Sequence, residues 1–241
     1  VATAAYAAET AAKKVVGEWL SHGRVVGRVL FEETRWTSET LPKNWERYEA
    51  AVFKTDERGV RYLELVPDGK TFVKCVQNTK ALTPMKAGRP IAVLWEARTP
   101  RGGSSAYFRY DIYDADGNYV SSTQQRSTVD PTQPQTFERN AFVLTPSRDQ
   151  RIGLYFHLPP EDEMPADVAN VRIVDLGDAV AASLKENQSV LEARRQAGDS
   201  IAWFSSSDLT AGYPVMPVST HVPGAAFGPL RMVDCRGETV H

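Results

Sequence analysis

Aromatic and charged side chains alternate with apolar ones between residues 106 and 113. Phe108, Tyr110 and Ile112 fall on one face of an extended chain, and Tyr107, Arg109, Asp111 and Tyr113 on the other. The first set reads as core. The second joins flat rings to a cation and a carboxylate, groups that stack on ring faces and pair hydrogen bonds in a plane, and so has the composition of an exposed recognition face. Residues 151–158 divide the same way, with Ile152, Leu154, Phe156 and Leu158 against Arg151, Tyr155 and His157. In residues 90–98, Glu96 and Arg98 share a face. If these strands lie together, Arg98, Tyr107, Arg109, Asp111, Tyr113 and Tyr155 line one groove. Exposed antiparallel strands also carry Tyr, Arg and Asp simply because these pair well across strands. A solvated face, or one covered by a neighbouring helix, therefore stands as the competing expectation. Trp36, Trp45 and Trp203 lie in loop-like contexts, either lining a binding edge or plugging the interior.

Reactive constellations are sparse. Gly198, Asp199 and Ser200 offer a nucleophile tripeptide, but it follows a charged helical segment where the chemistry needs a strand-to-helix turn, an oxyanion hole and a general-base histidine. His22, His157, His221 and His241 show no metal-ligand spacing to one another or to cysteine. Glu161, Asp162 and Glu163 follow two prolines and read as a solvated loop; nothing nominates a catalytic carboxylate pair. Arg101-Gly102-Gly103 is too short to cradle phosphate. The chain reads as non-catalytic, with a hydrolase using Ser200 or a carboxylate pair from distant strands as the weakest of three functional readings.

Composition narrows the classes further. The 28 Lys and Arg against 30 Asp and Glu give a net charge of −2, which supplies little long-range attraction for nucleic acid. No apolar run approaches the roughly 20 residues of a membrane span. Two cysteines, Cys75 and Cys235, build no disulfide framework, and the sequence leaves open whether they pair.

The elements that position these side chains are short β-segments: residues 61–66, 71–77, 90–98, 106–113, 136–144, 151–158 and 171–175, separated by Gly, Pro, Asp and Asn turns. Serial strands without long intervening helices predict an all-β sandwich. Residues 3–20 are alanine-rich and proline-free and predict a short helix, while Ala5-Tyr6-Ala7 equally fits a secretory cleavage site. Residues 178–196 predict an amphipathic helix with Gly198 just beyond it. The expected organisation is an extension or signal remnant over 1–15, the sandwich over 16–178, a helix over 179–197 and a proline-rich linker over 198–241. A strand beginning at Leu230 with little chain after it points to a further downstream domain.

The order of features resembles a known family. Phe31-Glu32, the tryptophan of residues 41–45, Gly59 ahead of 61–65, residues 72–77, the stretch from Leu82 through Gly88 to Arg98, Asp111–Gly117, residues 142–146, 152–156 and 171–175 together resemble the jelly-roll carbohydrate-binding modules of families 4, 9, 16 and 22. The resemblance covers about two thirds of the chain and implies fold more strongly than ligand. The chain departs from the pattern at Pro90-Ile91, where a tyrosine is common, and at Leu176, where a second aspartate is expected. The resemblance implies a polysaccharide ligand on the concave face, a secreted or periplasmic setting, and an accessory role beside a catalytic domain. It also implies a structural calcium held by Glu32 and Asp175, completed by backbone carbonyls to the six to eight oxygens calcium prefers. The alternative within the same fold is a ligand-free sandwich docked on its partner domain.

Overall fold

The computed structural model describes residues 2–37, 41–47, 51–67, 69, 73–77, 79–101, 107–158, 164–196, 232–233 and 239–240. Two compact units divide the chain, Ala8–Ala181 and a second made of Val1–Ala7 with Ala182–His241. In the second unit the described strands are β13 (Met232–Val233) and β14 (Thr239–Val240), an antiparallel pair. The Gly198–Ser200 tripeptide, Trp203, Cys235 and residues 161–163 lie outside the described residues. Among the described residues no helix is long and apolar enough to cross a membrane.

The Ala8–Ala181 unit is a two-sheet sandwich, as the alternating segments predict. One sheet, here sheet A, contains β1 (Arg28–Glu33), β3 (Ala51–Thr55), β4 (Arg61–Leu65), β7 (Ile91–Arg98), β10 (Glu138–Leu144) and β12 (Ala166–Asp175). It runs β10-β7-β12-β4-β3, with β1 also on β12. The other, sheet B, contains β2 (Trp45–Arg47), β5 (Val73–Gln77), β6 (Thr83–Met85), β8 (Tyr107–Asp114), β9 (Tyr119–Arg126) and β11 (Gln150–Leu158). It runs β2-β5-β11-β8-β9, with β6 also on β11. Every described pairing is antiparallel.

The inward residues of both sheets form one core. Ile91, Val93, Trp95 and Ala97 from β7 meet Phe108 and Ile112 from β8 and Ile152, Leu154, Phe156 and Leu158 from β11. Trp95 stacks on Phe108 with ring centroids 4.3 Å apart, and its Nε1 donates to the Ser127 hydroxyl at 3.0 Å. Each such large side chain, fully withdrawn from water, contributes about 1.5–3 kcal/mol. Cys75 sits in this core. So do Trp36 and Trp45, which plug the sandwich and line no binding edge. The Glu33 carboxylate, only 1% exposed, fastens the turn that carries them: it accepts the Trp36 backbone N–H at 2.9 Å and Trp45 Nε1 at 3.2 Å.

Strand β12 changes neighbours at a bulge. It pairs with β4 through Ala169 and with β1 from Val171, and between them Asn170 adopts φ 49° while its Nδ2 donates to Glu96 Oε2 at 2.6 Å. Asparagine tolerates that left-handed conformation better than other non-glycine residues. The outer face of sheet A is covered where the Ala11–Trp19 part of helix α1 (Ala2–His22) lies on it. Ala11, Ala12, Val16 and Trp19 are buried, Trp19 Nε1 donates to the Asn140 carbonyl at 3.0 Å, and Ala92, Leu94 and Val174 beneath are buried on what would otherwise be a solvent face. Sequence-based boundaries placed the sandwich from residue 16; the compact unit begins at Ala8, inside this helix. A short helix α2 (Leu41–Asn44) precedes β2, and α3 (Gly177–Gln196) follows β12 through Leu176.

Chain entry into β1 depends on Gly27. Its φ is 125°, and a Cβ there would meet the Asp175 carbonyl oxygen at 2.6 Å and Val174 Cγ1 at 2.7 Å. Gly27→Ala combines strain with a backbone clash that no rotamer relieves. It is expected to lower the unfolding free energy by about 2–4 kcal/mol, measured by urea denaturation, against no more than about 0.5 kcal/mol for Gly59→Asn, at a turn glycine with open space around it.

Candidate functional site

Cross-strand register places the outward residues of sheet B in rows. Tyr155 stands opposite Arg109 and Val76, His157 opposite Tyr107 and Lys74, and Gly153 opposite Asp111. On the edge strand, Arg126 faces Tyr107, Gln124 faces Arg109 and Ser122 faces Asp111. Of the six residues predicted to share a groove, Tyr107, Arg109, Asp111, Tyr113 and Tyr155 therefore occupy one face of two adjacent strands. The predicted alternation is the reason: their intervening neighbours Phe108, Ile112, Leu154 and Phe156 are all in the core.

These side chains form a connected platform. Arg109 donates to Asp111 through Nε at 2.7 Å and Nη2 at 3.1 Å, a two-pronged ion pair. The bond to Asp111 raises the already high pKa of Arg109. The Arg109 guanidinium lies 5.0 Å from the centre of the Tyr155 ring. Tyr155 meets His157 edge-on at 5.2 Å, His157 stacks on Tyr107 at 5.5 Å and 22°, and Arg126 Nη2 donates to the Tyr107 hydroxyl at 2.9 Å. Burial, helped by the charge of Asp111, pushes the Tyr113 phenol up. His157 belongs to this face by the same alternation, and Lys74 and Arg126 join it from the neighbouring strands. The sequence signal for Arg126 is faint, because β9 is polar throughout and lacks the alternation that marks a strand.

Arg98 does not join this group. It lies on the outer side of sheet A, 6% exposed, where Nε donates to Asp167 Oδ2 at 2.7 Å and Nη1 to the Gln135 carbonyl at 3.1 Å. Its guanidinium also sits 4.2 Å from the Phe137 ring centre and 4.8 Å from that of Tyr62. Strand β7 belongs to the opposite layer from β8 and β11, which no single-strand pattern reveals. Burial pushes the Asp167 carboxyl up to about 6, with Arg98 opposing that rise.

The residues expected to hold calcium do not form one site. Glu32 pairs in register with Arg172 and accepts its Nε at 2.8 Å. Asp175 lies three residues further along β12, about 10 Å, and alternation turns it to the opposite side from Arg172. Its carboxylate accepts Arg28 Nη2 at 3.0 Å, Arg89 Nε at 3.0 Å and the Gly177 backbone N–H at 2.9 Å. Burial works against that charge, yet the hydrogen bonds of Arg89, Gly177 and Arg28 prevail and hold the Asp175 carboxyl below its ordinary value. Two guanidinium groups supply the positive charge a cation would bring, so the donor set fits arginine and not calcium. Among the described residues, no three of His, Cys, Asp and Glu gather as metal ligands.

No family model matches the chain, and no curated protein matches it. Solved structures similar to it include the first xylan-binding domain of family 22 from Paenibacillus barcinonensis, at 10% identity over 63% of this chain and 97% of that one, with TM-score 0.40. A family 16 carbohydrate-binding module is 15% identical over 54% of this chain and 90% of that one, with TM-score 0.39. An arabinose-bound family 51 α-L-arabinofuranosidase is 12% identical with TM-score 0.43; the alignment covers 64% of this chain and 27% of the enzyme.

Two outcomes follow from the charges. His157 is pushed down to about 4 by burial, with Arg109 and Lys74 adding to the effect. The unfolded imidazole therefore binds a proton that the folded one refuses. Its contribution to stability is complete above pH 6.5 and is lost as pH falls from 6.5 towards 4. Denaturation of wild type and His157→Gln at pH 7.0 and pH 4.5 should show wild type losing more stability than the variant on acidification; parallel losses would contradict the assignment. Thermal unfolding in chelator and in millimolar calcium should coincide, whereas a calcium-dependent rise in Tm would contradict the arginine reading of Asp175.

Proposed function

We propose that the chain is a non-catalytic, carbohydrate-binding β-sandwich module of a secreted or periplasmic carbohydrate-active protein, with its ligand on the outward face of sheet B. The observation that carries this reading is the connected run of Tyr107, His157, Tyr155, Arg109 and Asp111 across β8 and β11. The part-exposed rings of Tyr107 and Tyr155 accept the C–H surfaces of a sugar ring and Arg109, oriented by the buried Asp111, meets its hydroxyls, while the buried His157 braces both rings. Because each of these side chains is already braced by its neighbour, little rotamer freedom remains to be lost on binding. Module attachment would act by holding a partner catalytic domain near polymer, converting repeated encounters into an effectively intramolecular one.

Affinity electrophoresis through xylan, β-1,4-galactan and β-glucan tests the reading. Wild type should be retarded by at least one polymer, and Tyr155→Ala and Tyr107→Ala should each weaken that binding about tenfold, the loss of one ring contact, with circular dichroism unchanged. Absence of retardation across neutral and acidic polymers, or full retention in both variants, would overturn it.

A further inference from the structure

The described strands of the Ala8–Ala181 unit that keep a free edge are short, charged or covered, with one exception. Strands β2 and β6 have three residues each, and β6 contains Pro84. Strand β1 carries Arg28, Glu32 and Glu33, and β3 carries Lys54. Strand β10 carries Glu138 and Arg139; its Asn140 carbonyl accepts Trp19 Nε1 from α1, and Arg139 Nη1 donates to the Ser21 carbonyl at 3.3 Å. Charge, proline, brevity and a covering helix are the devices that keep a free edge from pairing with another chain. The exception is β9. Eight residues long, it reads Tyr119-Val120-Ser121-Ser122-Thr123-Gln124-Gln125-Arg126, with seven of the eight exposed and the one charge at its end. Among the described residues it pairs only with β8, and its bulge falls at the Tyr119 end, ahead of the run of Ser, Thr and Gln.

We propose that β9 is the interface through which two copies of this chain associate, edge to edge and antiparallel, about a two-fold axis through the sheet. Charge selects a second copy as the occupant. The turn before β9 holds the exposed Asp116 at one end of the strand, while its neighbour Asp114 is engaged by the Asn118 backbone and side chain. Arg126, exposed and donating to the Tyr107 hydroxyl at 2.9 Å, stands at the other end. An antiparallel self-pair carries each Arg126 to the second copy's turn, so opposite charges meet twice. A register centred on Ser122 sets Arg126 opposite the second copy's Asn118, beside its Asp116. The two Arg126 side chains then stand about 26 Å apart along the strands, where salt screens their repulsion. Between the ends, uncharged Ser, Thr and Gln face their counterparts, and such side chains hydrogen-bond across antiparallel strands. An unrelated extended peptide added to an edge draws its specificity from pockets for alternate side chains. Residues on both faces of β9 are exposed, so a peptide would find main-chain bonds and no pockets there. The self-pair is isologous and closes at the dimer. It places the outward faces of both sheets B side by side, and it does not depend on what either face binds.

Pairing a single strand buries less than a standard interface, so the dimer is expected to be weak, with Kd on the order of 0.1 mM. Sedimentation equilibrium of the whole chain, from roughly tenfold below that concentration to roughly tenfold above it, tests the proposal. Wild type should pass from monomer to dimer and no further. Ser122→Lys puts two cations at the axis and should raise Kd about tenfold or more, with circular dichroism and Tm unchanged. Arg126→Asp and Asp116→Arg should each weaken association about threefold to tenfold, whereas the double variant, with its charges exchanged, should recover most of the wild-type affinity. A monomer across the whole range overturns the proposal. So does a dimer that Ser122→Lys leaves intact, or a double variant that associates no more tightly than either single one. Oligomers that keep growing with concentration would show an open, head-to-tail contact and overturn it as well.

Discussion

Burial of every second side chain along β8 and β11 governs what the rest of the molecule presents. Phe108, Ile112, Ile152, Leu154, Phe156 and Leu158 fill the space between the sheets. Because the side-chain period of a strand is two, moving either strand by one residue would bring Arg109, Asp111, Tyr155 and His157 into the core and expel the apolar set. The apolar loss alone, about 9–18 kcal/mol, is as large as the whole stability of an ordinary domain. The outward face of sheet B is therefore a consequence of the core: its residues are held in register by the apolar neighbours they alternate with.

The molecule uses ion pairs in two different ways. Arg98 with Asp167, and Asp175 with Arg28 and Arg89, sit where burial makes an unpaired charge costly, and each closes a junction between strands of sheet A. The Arg98 guanidinium is consumed by a carboxylate, a carbonyl and two rings. Arg109 with Asp111 lies within a single strand, about a third exposed at the arginine, with an aromatic ring against it. Such a pair fixes the orientation of two polar groups and leaves the arginine part-exposed; the functional reading rests on the part-exposed Tyr107, Arg109 and Tyr155 of sheet B, with Asp111 and His157 buried among them.

Much of this was legible in the residues. Strands β4, β7, β8, β10 and β11 follow from alternation and turn chemistry, and five of the six groove residues are correctly grouped by parity alone. Arg98 escaped because parity assigns a side of a strand but not the layer the strand joins; only pairing of β7 with β10 and β12 decides that. Strand β9 was invisible because an edge with solvent on both sides needs no apolar face, and β3 because it is short and mostly exposed. The first half of β12 was missed at its bulge, where Asn170 interrupts the pattern. The Phe31-Glu32 resemblance points to Glu32, yet Glu33 is the carboxylate turned inward, with Trp45 and the Trp36 backbone as its partners.

The central claim is that the outward face of sheet B, and no other surface, receives the ligand. Backbone amide chemical-shift mapping on a polysaccharide that binds addresses it directly. The account expects the largest perturbations at β5, β8, β9 and β11, centred on residues 74, 107, 109, 126, 155 and 157. Perturbations centred instead on α1 or on β3 and β4, with β8 and β11 silent, would contradict it.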